Sequence, residues 1–148
     1  MTKAGSMKVA TLYERRSGLY VHSSSKTTSG VWIVGAPVLN AKKDDVGQLG
    51  NAIRQCLEAS SEGVPHPKSF ANISDPLLAL AGVKSFNAFA KSAKCVEIEM
   101  VGETVTMIPT RNGGGDEGFV PLLGKANIVG SENDVLGSAA ITALALAE

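Results

Sequence analysis

The stretch "CVEIEMVGETVTMI", residues 95–108, decides the fold. From Cys95 to Val101 polar and apolar residues alternate, which is the period of a half-buried strand. Gly102-Glu103 follows, and a two-residue loop with glycine first suits a type II′ hairpin turn. Thr104 to Ile108 then alternates as the return strand. In this register Met100 opposes Val105, Ile98 opposes Met107, and Glu99 opposes Thr106. Apolar pairs share one face and polar residues the other, so the register is self-consistent. Glu97 and Glu99 then stand together on the outer face, with Glu103 at the tip.

Upstream, Lys8–Tyr13 and Leu19–Ser23 flank the turn Arg15-Arg16-Ser17-Gly18, a second hairpin signal. Ser24–Ser29 reads as a polar loop. The apolar run from Gly30 to Gly35 reads as a buried central strand, with Trp32, the single tryptophan, as a core anchor. Asp44 or Asp45 can cap a helix running to about Ala59, whose face Val46, Leu49, Ile53, Cys56 and Leu57 is apolar. A second helix starts at Asp75 with Pro76 in its first turn, where a missing N–H costs little. Leu77, Leu78 and Leu80 supply its apolar face, and Gly82 ends it. Ser85 can cap a third, short helix. Ser131-Glu-Asn-Asp134 is a variant capping box for a last helix with the stripe Leu136, Ala140, Ala143, Leu144 and Ala147. Strands, then helices, then a hairpin and a helix predict an α+β fold with a mainly antiparallel sheet and helices packed on one face.

At 148 residues the chain most simply makes a single domain, 1–148. A domain of that size hides about two-thirds of its unfolded surface, enough for a core without staples. Residues 1–6, MTKAGS, read as a disordered leader or as an alternative start before Met7. Apolar content is 44% and charged content 19%, which marks a globular chain. No run approaches the roughly 20 apolar residues that span a bilayer, and the N-terminus has no signal-peptide core. A cytoplasmic location and no membrane partner are expected. Net charge is zero, but residues 1–74 carry +4 and residues 75–148 carry −4. Without a basic stripe and interleaved aromatics, direct nucleic-acid binding is not expected.

The glycine run in "TRNGGGDEGF", residues 110–119, resembles a phosphate cradle only superficially. A P-loop needs a Lys-Ser or Lys-Thr after the glycines, and a dinucleotide fingerprint needs GxGxxG opening a helix. Here Asp116 and Glu117 follow, which would repel a phosphate. The extended Phe119-Val120-Pro121 comes next, so the stretch reads as a flexible surface loop with no helix in it. Catalytic motifs are likewise missing: no GxSxG elbow, no cysteine paired with a nearby histidine. His22 and His66 lack metal-ligand spacing, so no metal and no cofactor are expected. Cys56 and Cys95 read as reduced core thiols.

One pattern is more telling. "LGNAIRQCLEAS" on a helix is followed by "LLALAGVKSFNAFAKSAKCVEIEMVGETVTMIPTRNGGGDEGF". The leucine-glycine helix, the Gly-x-Lys-Ser-aromatic-x-x-Phe segment and the hairpin ending in Ile-Pro-Thr resemble the contact-dependent growth inhibition (CDI) immunity proteins of the CdiI type. The resemblance spans roughly residues 8–130, with Phe86 where the pattern favours tryptophan. It implies a cytoplasmic binder, not an enzyme, whose partner is the cognate CDI toxin C-terminal domain. Many such toxins are nucleases and therefore basic, so an inhibitor can place carboxylates where nucleic-acid phosphates would sit. In this chain Glu97, Glu99, Glu103, Asp116 and Glu117 come from one short span and are the candidate toxin-binding residues. The competing reading of the same five is a solvated face and a floppy turn. A small enzyme or small-molecule binder, built from scattered residues such as His22, Ser23 and Asp75, is the alternative function. A structural or scaffolding module is a third.

Overall fold

A computed structural model describes residues 7–148; the expected leader, 1–6, lies outside them. β1 (Lys8–Arg15) and β2 (Gly18–Thr27) form the first hairpin, followed by β3 (Trp32–Ala41). α1 (Val46–Ala59) leads to the short β4 (Glu62–Val64). α2 (Asp75–Ala81) and α3 (Phe86–Ala90) precede the second hairpin, β5 (Lys94–Val101) and β6 (Thr104–Asn112). The one-turn α4 (Gly114–Glu117), β7 (Phe119–Pro121), a 3-10 turn (Leu123–Lys125) and β8 (Asn127–Val129) then lead to α5 (Asn133–Leu146).

The strands form one sheet in the order β3-β2-β1-β5-β6-β7, with β4 beside β2 and β8 beside β6. Every pairing is antiparallel except the short parallel contact of β2 with β4. This is the expected α+β fold with a mainly antiparallel sheet. The β5–β6 register is the one read from sequence: Met100 pairs with Val105, Ile98 with Met107 and Glu99 with Thr106. Gly102 at the turn has φ +62°, a conformation that glycine adopts without a Cβ penalty.

The two long helices share one face of the sheet, as expected, but the short α2 and α3 pack on the other face, so the expectation that all helices lie on one face is corrected. Leu49, Ile53 and Leu57 of α1 and Leu136, Ala140 and Leu144 of α5 pack with Leu12, Val21, Val96, Ile98 and Met107 of the strands. α1 is capped as expected by Asp45, whose carboxylate accepts from Gln48 N at 3.0 Å. The two helices touch so closely that glycine is required at the crossing. A Cβ on Gly50 would collide with the Asn133 carbonyl, and one on Gly137 with the Val46 carbonyl. The small-residue stripe of α5 serves this helix–helix contact as much as the sheet.

The opposite face carries a second, smaller cluster. Tyr13 and Tyr20 meet Leu77 of α2, Phe89 of α3, Ala93 and Cys95. Tyr13 contacts Phe89 edge to face at 5.0 Å between ring centres, and Phe119 at 5.6 Å. Ser85 caps α3 through Ala88 N at 3.1 Å, as its position predicts. Leu80, expected on the apolar face of α2, is 40% exposed, and Leu77 alone of that helix is buried.

Three local expectations need correction. Ser24–Ser29 is not a loop at its start, because β2 runs to Thr27. Its hydroxyls are satisfied inside the structure: Ser24 with Thr11 at 3.3 Å, Ser25 with Ser61 N at 3.1 Å. β3 is an edge strand that pairs only with β2, so Trp32 is half-buried rather than central. Ser131 does not cap α5; Glu132 holds the cap position without a side-chain bond. Arg54 reaches from α1 instead, donating to Asn133 Oδ1 at 2.6 Å and to the Ser131 carbonyl.

Candidate partner-binding surface

The five carboxylates fall into three settings. Glu97 sits on β5, a central strand between β1 and β6. It is half-buried, accepts from Thr11 Oγ1 at 3.2 Å, and has the Cys95 thiol 3.7 Å away. Burial pushes its carboxyl from 4.5 up to about 7, and the Glu99 charge adds to the rise, while the Thr11 and Cys95 contacts oppose it. The sequence expectation of a fully outward Glu97 is therefore corrected: alternation places it on the second face, but neighbouring strands flank it. Glu99 is also half-buried, two residues closer to the hairpin tip.

Glu103 is exposed at that tip. Asp116 and Glu117 are exposed in α4, beyond the other end of β6. β6 has nine residues, so the two ends stand roughly 25 Å apart at about 3.3 Å per residue. The structure thus brings Glu97 and Glu99 together, and Asp116 with Glu117, but does not gather all five on one patch.

The glycine loop is ordered by its own backbone. Gly113 N donates to Gly118 O at 2.7 Å and Gly118 N to Gly114 O at 2.8 Å. Contrary to the sequence reading, a helical turn does open there, because Gly114 at φ +81° and Gly118 at φ +68° supply the left-handed bends. Phe119–Pro121 is extended, as expected. Glu117 meets Arg111 at 3.3 Å on the surface.

Asn112, which sequence reasoning passed over, fixes this loop to α3. Its Nδ2 donates to the carbonyls of Ala90 at 2.8 Å and Ala93 at 2.9 Å, and its Oδ1 accepts from Gly114 N at 3.1 Å. Asn112 thereby ties the Ala90 carbonyl at the end of α3 and the Ala93 carbonyl in the turn after it to the glycine loop. The only sequence signal was an asparagine at the strand–glycine junction, where such side chains commonly bond nearby backbone.

The alternative catalytic trio does not assemble. His22 is buried, and its Nδ1 contacts the neighbouring Ser23 carbonyl at 2.8 Å. Burial lowers the pKa of the imidazole. Ser23, next in the strand, points to the other sheet face, while Asp75 is exposed at the start of α2. His66 bonds Thr27 Oγ1 at 2.9 Å. Both cysteines are free and buried, as expected; burial pushes the Cys56 thiol up to about 12 and the Cys95 thiol upward as well. No helix among the described residues is long and apolar enough to cross a membrane.

The CdiI family model, described as CDI immunity protein, matches residues 17–147. The chain belongs to this family of immunity proteins. Two solved structures share the fold. One is a protein of unknown function from Neisseria meningitidis, with TM-score 0.80 and 16% identity, covering 100% of this chain and 99% of that one. The other is a CdiA-CT/CdiI toxin and immunity complex from Yersinia pseudotuberculosis, with TM-score 0.78 and 15% identity, covering 99% of this chain and 100% of that one. No curated protein matches the chain by sequence.

Proposed function

We propose that this protein binds and neutralises the C-terminal toxin domain of a CDI system in the cytoplasm, and that the toxin is a nuclease. The family match over residues 17–147 carries the reading. The fold shared with a chain from a toxin and immunity complex supports it. The nuclease assignment draws on charge. Glu103, Asp116 and Glu117 are exposed carboxylates, and a toxin that handles a polyanion is basic. Opposite charge speeds encounter and rejects wrong partners.

Co-expression with the toxin domain encoded beside this gene tests the reading. The protein should restore growth, co-purify with that domain, and suppress its degradation of DNA or RNA. Growth rescue without complex formation would refute direct binding. A neutralised toxin that leaves nucleic acid intact when freed would refute only the nuclease assignment.

A further inference from the structure

A cavity of about 420 Å³ opens at the end of the sheet where β1 turns into β2 and β3 leads into α1. The charged residues that line it are Arg16, Lys42 and Lys43, and no carboxylate is among them. Its neutral lining adds donors. Gln48 Oε1 is occupied, accepting from Lys42 N at 3.0 Å, so the amide nitrogen is its free end. Ser17 and Tyr20 share one hydrogen bond at 2.8 Å, and whichever hydroxyl accepts it keeps its own proton to give. The nearby carboxylates lie outside the lining. Glu14 holds Lys43 at 2.6 Å. Asp45 is engaged at the α1 cap, 3.0 Å from Gln48 N, and Asp44 is exposed. Arg16 and Lys42 are exposed and pair with no carboxylate among the described residues.

A concave site whose lining charges are all positive complements an anion. The planar fork of a guanidinium matches the two oxygens of a carboxylate or a phosphate. The surroundings favour the carboxylate. Glu14 pairs with Lys94, so the β1–β2 turn lies at the same end of the sheet as the start of β5 and the close of β6. Only β5 separates β1 from β6, a distance of roughly 10 Å. Exposed Asp116 and Glu117 follow β6 at that end. A run of phosphates laid along it would be attracted at Arg16 and repelled at α4, whereas a protein surface can carry both signs. We propose that this cavity receives an aspartate or glutamate side chain of the toxin, its carboxylate held by Arg16 and Lys42. The proposal rests on the reading above that the partner is the CDI toxin domain. It adds that a mainly basic toxin carries one acidic residue that sets its orientation on this protein.

Two measurements decide it. In the first, the free protein at constant ionic strength is titrated with millimolar N-acetylglutamate α-methylamide, with the glutamine analogue and with inorganic phosphate. The Gly18 amide and the Gln48 side-chain amide are followed by NMR. The glutamate compound should shift both signals and the glutamine compound neither. Equal responses to those two, or tighter binding of phosphate than of the glutamate compound, would overturn the carboxylate assignment. In the second, dissociation constants are measured for complexes with the neighbouring toxin domain. Arg16→Glu should weaken binding about tenfold and Lys42→Gln about threefold. Lys68→Glu makes the same change in net charge as Arg16→Glu. Lys68 is exposed beyond β4, which pairs with the far end of β2, so affinity there should stay within about twofold. All three are exposed positions, and thermal unfolding checks that each variant is folded. Unchanged affinity of a folded Arg16→Glu, or an equal loss in Lys68→Glu, would overturn the proposal while leaving the immunity function standing. A toxin domain that does not bind the wild-type protein would instead refute the function, and the titration would still report on the cavity.

Discussion

The two faces of the sheet are built on different rules. On the α1–α5 face the strands offer Leu12, Val21, Val96, Ile98 and Met107 to a matching helical stripe. Apart from the buried hydroxyl of Ser23, which has no partner among the described residues, the groups there are apolar, and the helices approach until only glycine fits. On the other face Tyr13, Tyr20 and Phe89 share space with Thr11, His22, Ser24 and Glu97. Water is excluded from both, but on the second face polar groups must find partners, and His22 Nε2 has none among the described residues. The first face is held mainly by burial. The second mixes burial with hydrogen bonds and ionisation, so pH acts mainly there.

The largest effect that would break this contrast lies at the helix crossing. Gly50→Val drives a branched side chain into the backbone of Asn133. Since backbone cannot yield as a flexible side chain does, we expect destabilisation of about 4 kcal/mol or more, read as a loss of the cooperative urea transition or a collapsed midpoint. A midpoint near wild type would show that α5 can slide on α1.

A smaller effect sharpens the pH difference between the faces. The carboxyl of Glu97 rises to about 7 in the folded protein, so the folded state holds its proton more tightly than the unfolded chain. Stability should therefore fall as pH rises from about 4.5 to about 7, and the loss is complete above that window. Glu97→Gln should flatten this slope and leave the variant more stable at pH 8, by on the order of 2 kcal/mol. Buried His22 has the opposite sign: its lowered pKa costs stability as pH falls below 6.5. Chemical denaturation from pH 5 to 8 reads both, and an unchanged slope in Glu97→Gln would mean that Glu97 is hydrated in solution.

The smallest expected effect concerns two caps on the first face. Asp45→Ala removes a formed bond to Gln48 N and should cost about 1 kcal/mol. Ser131→Ala removes a hydroxyl that makes no cap bond and should cost less than about 0.5 kcal/mol. Equal losses in thermal unfolding would show that α5 is capped in solution as the sequence motif suggests.

These differences mark what was legible. The β5–β6 register, the α1 cap at Asp45 and the α5 stripe were all readable, because each is set by a local period or a local bond. Ser131 failed because α5 starts at Asn133, which Arg54 of α1 binds from seventy-nine residues away, and Glu132 then holds the cap position. β3 was misplaced because a glycine-bounded apolar run looks the same at the edge as in the centre. Pro37 within it was a usable signal, since proline cannot donate to a ladder and favours edges and bulges, although Pro109 sits inside the central β6. Of the candidate site, exposure of Glu103, Asp116 and Glu117 followed from turn and loop chemistry. Their separation did not, because nearness in sequence says little about the two ends of an extended strand. The setting of Glu97 needed the neighbours of β5, which alternation cannot supply.

Asn112 spends all three of its side-chain bonds on main-chain atoms: the carbonyl at the end of α3, the Ala93 carbonyl just after it, and one amide of the glycine loop. Main-chain atoms are the same whatever residue carries them. The spacing between α3 and the loop is therefore indifferent to which side chains line it, and Phe86, Asn87 or Lys91 can be exchanged while the gap between them keeps its shape. A lineage facing a new toxin could rewrite its specificity at these positions without relearning how to fold.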